Sequence, residues 1–332
     1  MTHEGNSVRY TRLGRSGPLI SSIGLGSLAL SGAYGRVDPA EADLLVRRAL
    51  DAGVTFLDTA DFYAAGEVER LVGRAVAGRS DDIVVATRGG ARPRGPGPVV
   101  EFDGRPEYLE QACDSSLKRL GADHVGVYYL YCQDSRVPIE DSMTRLAGLV
   151  RAGKIRYLGL SNSTAEQLRR AHAVHPITAL AIEYSLWGTC IDPALLATAR
   201  ELGVSVVAAR PLGRGFLTGR IRSDARLDPG DWRRSDPRFR PERLRLHTGP
   251  LRRLESVAAR LDLGAGRLAL AWLLSREEPI VPVPSTRDPV HLEMNLTAAA
   301  VELPPEAREW LAGLSPHSFP SDTGGPAPAP LL

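Results

Sequence analysis

Short apolar runs alternate along this chain with longer stretches whose apolar positions recur every three or four residues. The runs at 23–26, 53–58, 83–87, 125–131, 156–160, 178–182, 204–209 and 280–283 read as buried strands. The stretches at 39–52, 66–73, 106–120, 139–152, 165–173, 193–202, 251–261, 267–275 and 290–300 read as amphipathic helices. A short hairpin is expected at the start, with 10–13 and 19–22 flanking Gly14-Arg15-Ser16-Gly17-Pro18. A polar excursion is expected at 220–250, and 290–300 is expected to be the last helix. Near-continuous apolar strands joined by helices predict a parallel sheet covered by helices. Eight such units predict a closed (β/α)8 TIM barrel with an N-terminal β-hairpin, spanning 1–315 as one domain. A doubly wound sheet is the rival, but no Gly-x-Gly-x-x-Gly follows the first strand. The Pro-, Gly- and Ser-rich segment 316–332 reads as a flexible tail.

Polar residues collect where the strands end. In Gly53-Val54-Thr55-Phe56-Leu57-Asp58-Thr59-Ala60-Asp61-Phe62-Tyr63 a strand runs up to Asp58, and a phenol stands five residues on in the loop. Arg88 ends the third strand and Tyr131 the fourth. In a barrel these C-terminal ends are where chemistry is placed.

Composition narrows the classes. The 332 residues are 43% hydrophobic with a formal charge of +2, so a full core is available and the excess charge of a nucleic-acid binder is missing. The cysteines Cys113, Cys132 and Cys190 are widely spaced and form no metal or disulfide pattern, which points to a reduced, cytoplasmic setting. The polar start predicts no signal peptide, and no apolar run has the ~20 residues of a membrane span. Basic residues are nearly all arginine, with Lys118 and Lys154 the two exceptions.

Several pieces stand in a fixed order: Leu13-Gly14-Arg15-Ser16-Gly17, the segment from Asp58 to Tyr63, Gly159-Leu160-Ser161-Asn162, Pro211-Leu212-Gly213-Arg214-Gly215-Phe216-Leu217-Thr218-Gly219, and Pro284-Ser285-Thr286-Arg287 with Asn295. In these pieces, from residue 10 to about residue 314, the chain resembles the aldo-keto reductase superfamily. The segment from Asp231 to Phe239 resembles the long loop of one bacterial-type branch of it. The resemblance implies NADP(H) bound across the C-terminal face. It implies a four-residue site of Asp, Tyr, Lys and His that reduces a carbonyl. Asp58 and Tyr63 match the first two, Arg88 stands at the Lys position, and Tyr131 stands at the His position. The cofactor-binding residues it implies are Gly26, Ser27, Ser161, Asn162, Arg210, Leu212, Gly213, Gly215, Leu217, Ser285, Thr286, Arg287, His291 and Asn295.

The departures carry chemical weight. Arg88 keeps a cation beside Asp58 but cannot give up a proton. A phenol at 131 cannot replace an imidazole, although it can donate a hydrogen bond to a substrate oxygen. Ala181 stands where the family bonds the carboxamide with Gln, and Ala209-Arg210 stand where an aromatic residue stacks on nicotinamide. Each loss is worth about 1 kcal/mol, with Trp187, Phe216 and Trp232 the aromatic candidates to compensate. Three readings follow: an NADPH-dependent reductase of a small carbonyl or enone; a dehydratase, isomerase or cyclase of secondary metabolism that uses Tyr63, Tyr131 and Arg88 for proton transfer; or a catalytically silent ligand-binding barrel. Redox chemistry on a small molecule is the expected class. The sequence carries no signal for oligomeric state.

Overall fold

The computed structural model describes residues 8–79, 81–93, 100–187 and 191–314. The expected tail at 316–332 and Cys190 lie outside them. Strands β1 (Tyr10–Arg12) and β2 (Leu19–Ser21) form the expected antiparallel hairpin. Then follow β3 (Leu25–Gly26), α1 (Pro39–Asp51), β4 (Phe56–Asp58), α2 (Glu67–Val76), β5 (Val84–Gly89), β6 (Ala91–Pro93), β7 (Val100–Phe102), α3 (Pro106–Leu120), β8 (Val125–Leu130), α4 (Ile139–Arg151), β9 (Ile155–Ser161) and α5 (Ala165–Val174). The chain continues through β10 (Ile177–Glu183), α6 (Pro193–Leu202), β11 (Ser205–Ala209), α7 (Pro241–Arg260), α8 (Ala265–Leu274), β12 (Ile280–Val283), α9 (Pro289–Leu296) and α10 (Pro305–Leu314).

Eight parallel strands pair in the order β12-β11-β10-β9-β8-β5-β4-β3. The seam closes where Gly24 N donates to Pro282 O at 3.0 Å and Gly26 N to Pro284 O at 3.1 Å, with a parallel bridge from Gly26 to Ser285. A Cβ on Gly26 would stand 2.6 Å from the carbonyl oxygen of Val283, so the strands can approach this closely only with glycine there. The result is the (β/α)8 barrel.

One core lies inside the barrel. Phe56, Val84, Ala86, Val127, Tyr129, Ala179, Ala181, Val207, Val281 and Val283 fill it from the strands. Leu13 and Ile20 of the hairpin join the same cluster, so the hairpin plugs the N-terminal end. Gly14 N donates to Ser205 Oγ at 2.7 Å and Arg15 N to Gly203 O at 2.8 Å, which ties the plug to the start of β11. A larger core lies between strands and helices.

Three features depart from the pattern reading. The antiparallel pair β6 and β7, absent from it, rises from the loop after β5. Helix α7 begins at Pro241, ten residues before the position expected from periodicity, and runs through Pro250. A proline inside a helix removes a backbone bond and normally marks a boundary. Here Leu244, His247, Leu251 and Leu254 recur on one buried face, and that packing outweighs the lost bond. Helix α9 ends at Leu296, and α10 follows as a further helix that anchors Leu311 and Leu314 in the core. No described helix is long and apolar enough to cross a membrane.

Candidate active site

Side chains alternate along a strand. Phe56 and Asp58 of β4, Val84, Ala86 and Arg88 of β5, and Val127 and Tyr129 of β8 therefore share the inward face. The lower positions are apolar and pack in the barrel core. The upper ones carry charge. Asp58 and Arg88 line the bottom of a groove across the C-terminal face, with Tyr63 and Tyr131. Counting its solvent-open part, the groove has an empty volume of about 1750 Å³.

Arg88 Nη2 donates to Asp58 Oδ1, and Arg88 Nε donates to the carbonyl of Thr59 at 3.1 Å. The guanidinium carbon lies 5.1 Å from the centre of the Tyr129 ring. The side chains of the pair are 5% and 6% exposed. Burial raises the Asp58 carboxyl above its usual range, and Arg88 opposes that rise. Burial works against the Arg88 charge, but Asp58 and the surrounding phenols outweigh it and hold the guanidinium protonated. Both Ser27 N and Ser27 Oγ donate to the carbonyl of Asp58 at 2.9 Å, which fixes the strand end.

The two phenols flank one ring. Phe62 meets Tyr63 edge-on at 5.2 Å and Tyr131 edge-on at 5.1 Å between centroids. Burial pushes the Tyr63 phenol up to about 12, with the Arg88 charge pulling it back. The Tyr131 phenol is also raised by burial, and Arg210 is the first cation opposing that.

A second charged cluster forms one wall. Glu183, at the end of β10, accepts from Arg210 at 2.8 Å, Arg214 at 3.0 Å and Arg238 at 2.8 Å. Arg214 also pairs with Asp236, and Arg238 reaches the same carboxylate at 3.1 Å. Burial alone would raise the Glu183 carboxyl, but the arginines Arg214, Arg210 and Arg238 hold it well below its usual range. Arg233, held by Asp231, lies 4.6 Å from the centre of the Tyr34 ring. Non-glycine residues with positive φ gather in these loops: Ala64 and Ala65 after Tyr63, Asn162 after β9, and Arg210 and Arg214 after β11. Such strain persists only where the surrounding structure imposes it, and it clusters at functional sites.

Most residues expected to hold a cofactor line the groove: Gly26, Ser27, Ser161, Asn162, Arg210, Leu212, Gly215, Ser285, Thr286, Arg287, His291 and Asn295. Gly213 and Leu217 stand behind its wall. A Cβ on Gly213 would meet Trp187 at 2.9 Å, and Leu217 is fully buried. Sequence reasoning missed Tyr34, Glu183 and Arg233 as groove residues. Glu183 had a local signal, since it directly follows a strand in the barrel pattern. Tyr34 and Arg233 had none, because their loops meet only in the folded chain, where Trp232 N donates to Ala33 O at 2.9 Å.

A family model described as "Aldo/keto reductase family" matches residues 22–313. The chain belongs to this family. It is 37% identical over 305 residues to "Probable aldo-keto reductase 1" of Glycine max, covering 89% of this chain and 86% of that protein. The glycerol dehydrogenase AKR11B4 from Gluconobacter oxydans matches with a TM-score of 0.85 at 25% identity, over 97% of this chain and 100% of the other. The holo form of aldo-keto reductase AKR11C1 from Bacillus halodurans matches with a TM-score of 0.75 at 25% identity, over 93% and 96%.

In this aldo/keto reductase the three aromatic residues named as candidates to compensate for a lost nicotinamide stack do not line the groove. Trp187 stacks on Phe216 at 4.3 Å and donates its indole N–H to His247 at 2.8 Å, and neither ring lines the cavity. Trp232 does not line it either. Neither lysine can serve the Asp58 site. Lys154 precedes β9 at the opposite end of the barrel and pairs with Asp114 at 2.6 Å, and Lys118 lies on the outer helix α3.

Proposed function

We propose that this aldo/keto reductase reduces a small carbonyl or enone with NADP(H), with Tyr63 giving the proton. The observation that carries this reading is the buried Asp58–Arg88 pair beside a phenol that opens into the groove. A neutral phenol in a dry site is a poor acid until the carbonyl oxygen gains negative charge. A fixed cation then stabilises the phenolate left behind. Arg88 is that cation, and its bond to Asp58 keeps it in place. Tyr131, which packs on the same Phe62 ring and lines the same groove, would donate a hydrogen bond to the same oxygen.

The groove fits a dinucleotide. At one limb the buried Nε of Arg267 and Nε2 of His291 have no hydrogen-bond partner among the described residues, and both residues line the cavity with Arg220 and Arg287. These donors suit a phosphate-bearing ribose. Among the described residues, seven arginines line the groove against two carboxylates, Asp58 and Glu183, so the surface favours a polyanion. Ser285, Thr286, Arg287, His291 and Asn295 would hold the 2′-phosphate and adenine end. Gly215 allows close backbone approach, and Ser161 and Asn162 would meet the carboxamide. When bound, the reduced nicotinamide supplies hydride to the carbonyl carbon.

The test is consumption of NADPH with a panel of aldehydes, ketones and enones, in the wild type and in Tyr63→Phe. Substrate-dependent oxidation of NADPH that disappears in Tyr63→Phe is the expected result. Turnover of a candidate substrate without NADPH, lost in the same variant, would instead establish the proton-transfer reading in which Tyr63, Tyr131 and Arg88 act alone.

A further inference from the structure

The loop that carries Tyr63 turns on a strained backbone. Ala64 and Ala65 stand at φ 47 and φ 53, in the left-handed region where a Cβ crowds the chain. Gly66 follows at φ 89, and there the residue type suits the backbone. Both alanines are exposed, so no packing of their own side chains imposes the conformation. Such strain persists only where the surrounding structure fixes it.

One end of the segment is fixed by the strands. Asp61 N donates to Arg88 O at 3.3 Å, and Tyr63 N to Ala60 O at 3.2 Å. The other end rests on a buried polar chain. A Cβ on Gly66 would stand 2.4 Å from Cδ and 2.6 Å from Nε of Arg119, so the loop lies directly against this side chain of α3. Arg119 Nε donates to Glu69 Oε2 at 2.6 Å, and Arg119 Nη2 donates to Ser116 Oγ at 3.2 Å. Thr87 Oγ1 donates to Glu69 Oε1 at 2.6 Å. Glu69 and Thr87 are fully buried, and Thr87 directly precedes Arg88 on β5. The chain therefore runs from beneath the Tyr63 loop to the residue beside the Asp58–Arg88 pair. Opening a buried ion pair on one side leaves an uncompensated charge, so this brace is held firmly. Arg119 also acts on the other side of Tyr63. Burial and then Glu69 push the Asp61 carboxyl well above its usual range, and Arg119 is the first cation opposing them.

Building on the reading of Tyr63 as proton donor, we propose that Arg119 is a positioning residue for it. Braced by Glu69 and Thr87, Arg119 holds the Ala64–Ala65 turn in its left-handed form and so keeps the Tyr63 phenol beside Arg88. Arg119 does not line the groove, so it acts through the loop alone. Without it the turn relaxes toward ordinary backbone and carries the phenol away from the cation.

The test uses Glu69→Gln, Arg119→Met, which removes both charges of the brace together and leaves neither of them buried and unpaired. With NADPH and a substrate from the carbonyl panel, kcat should fall about 10- to 100-fold, the effect of a displacement near 1 Å. KM for NADPH should stay within about twofold. Adding Ala64→Gly and Ala65→Gly should recover most of the lost kcat, because glycine takes the left-handed form without strain. The same glycines in the wild type should give no gain. Fluorine NMR with fluorotyrosine in place of Tyr63 reads the displacement without turnover: the wild-type resonance should shift or broaden in the double variant and return with the glycines. Should the double variant not fold, Arg119→Lys carries the same comparison, since it keeps the charge beside Glu69 and loses the guanidinium against Gly66. An unchanged kcat or an unmoved resonance overturns the proposal, as does a loss that the glycines leave untouched. If no carbonyl is reduced by any form, the redox reading fails separately, and the resonance alone decides whether Arg119 positions Tyr63.

Discussion

Arg88 and Asp58 form a hydrogen-bonded ion pair almost wholly removed from water, at the inward ends of two adjacent strands. The pair neutralises itself, so the site can keep a cation beside Tyr63 without leaving an unbalanced buried charge. Arginine also fixes the protonation state. Unlike a buried lysine it cannot release a proton, so Arg88 acts as a stationary charge and takes no part in a relay.

The phenol of Tyr63, pushed up to about 12, stays protonated through the neutral range. Reduction, which needs the protonated form, should be flat between about pH 6 and 9. The reverse oxidation needs phenolate and should rise with pH over the same range. Tyr63→Phe should lower kcat by about 10²- to 10⁴-fold with NADPH affinity unchanged within about twofold. A reductive profile falling through neutral pH in the wild type would assign the proton to another group.

Arg88→Met should leave Asp58 buried without its cation and cost about 3–5 kcal/mol in chemical denaturation. Arg88→Lys keeps the charge, but one ammonium cannot reproduce the separate bonds to Asp58 and to the Thr59 carbonyl. Turnover should fall about tenfold, the loss of one oriented contact. Unchanged kcat in Arg88→Lys would show that charge alone suffices.

NADP(H) should bind more tightly than NAD(H). Arg287→Ala should lower NADPH affinity by about tenfold and leave NADH affinity within about twofold. Fluorescence titration with both cofactors measures this. Equal loss for the two would place Arg287 away from the 2′-phosphate.

Asp134 caps the loop after β8. It accepts from Gly104 N at 3.2 Å and from Arg136 N at 3.0 Å, and it pairs with the Arg136 side chain at 2.9 Å. The Arg136 bond, ahead of the backbone donors, holds its carboxyl down at about 2. A carboxyl lowered by folding stabilises the native state above its unfolded pKa of about 3.9, and that contribution fades as pH falls toward 2. Discounted for the solvent-facing Arg136, it is about 1 kcal/mol. Asp134→Asn should therefore lower the denaturation midpoint at pH 7 but leave stability near pH 2 little changed. An equal loss at both pH values would mean that the carboxylate charge is not what matters.

The sequence by itself determined the barrel and the bottom of its groove. Alternation within a strand is local, so Asp58, Arg88 and Tyr131 could be placed at successive strand ends from pattern alone, and Tyr63 in the loop that follows. The structure brings these four residues to one groove. Periodicity also marked most helices, but it failed at α7, because Pro250 reads as a stop unless the buried face around it is known. The β6–β7 pair escaped notice because its strands are short and carry little apolar pattern.

Only the tertiary structure decided how the groove wall is charged. Glu183, Arg210, Arg214, Asp236 and Arg238 come from β10, the loop after β11 and the long loop beyond it, and their charges can be balanced only once they are in contact. The same holds for Trp187 and Phe216, whose composition suggests a stacking surface but whose rings are spent on each other. Strand-end residues follow from a period of two. Residues from loops meet through the closure of the barrel and the packing of long connections across its mouth, and no local rule encodes that meeting.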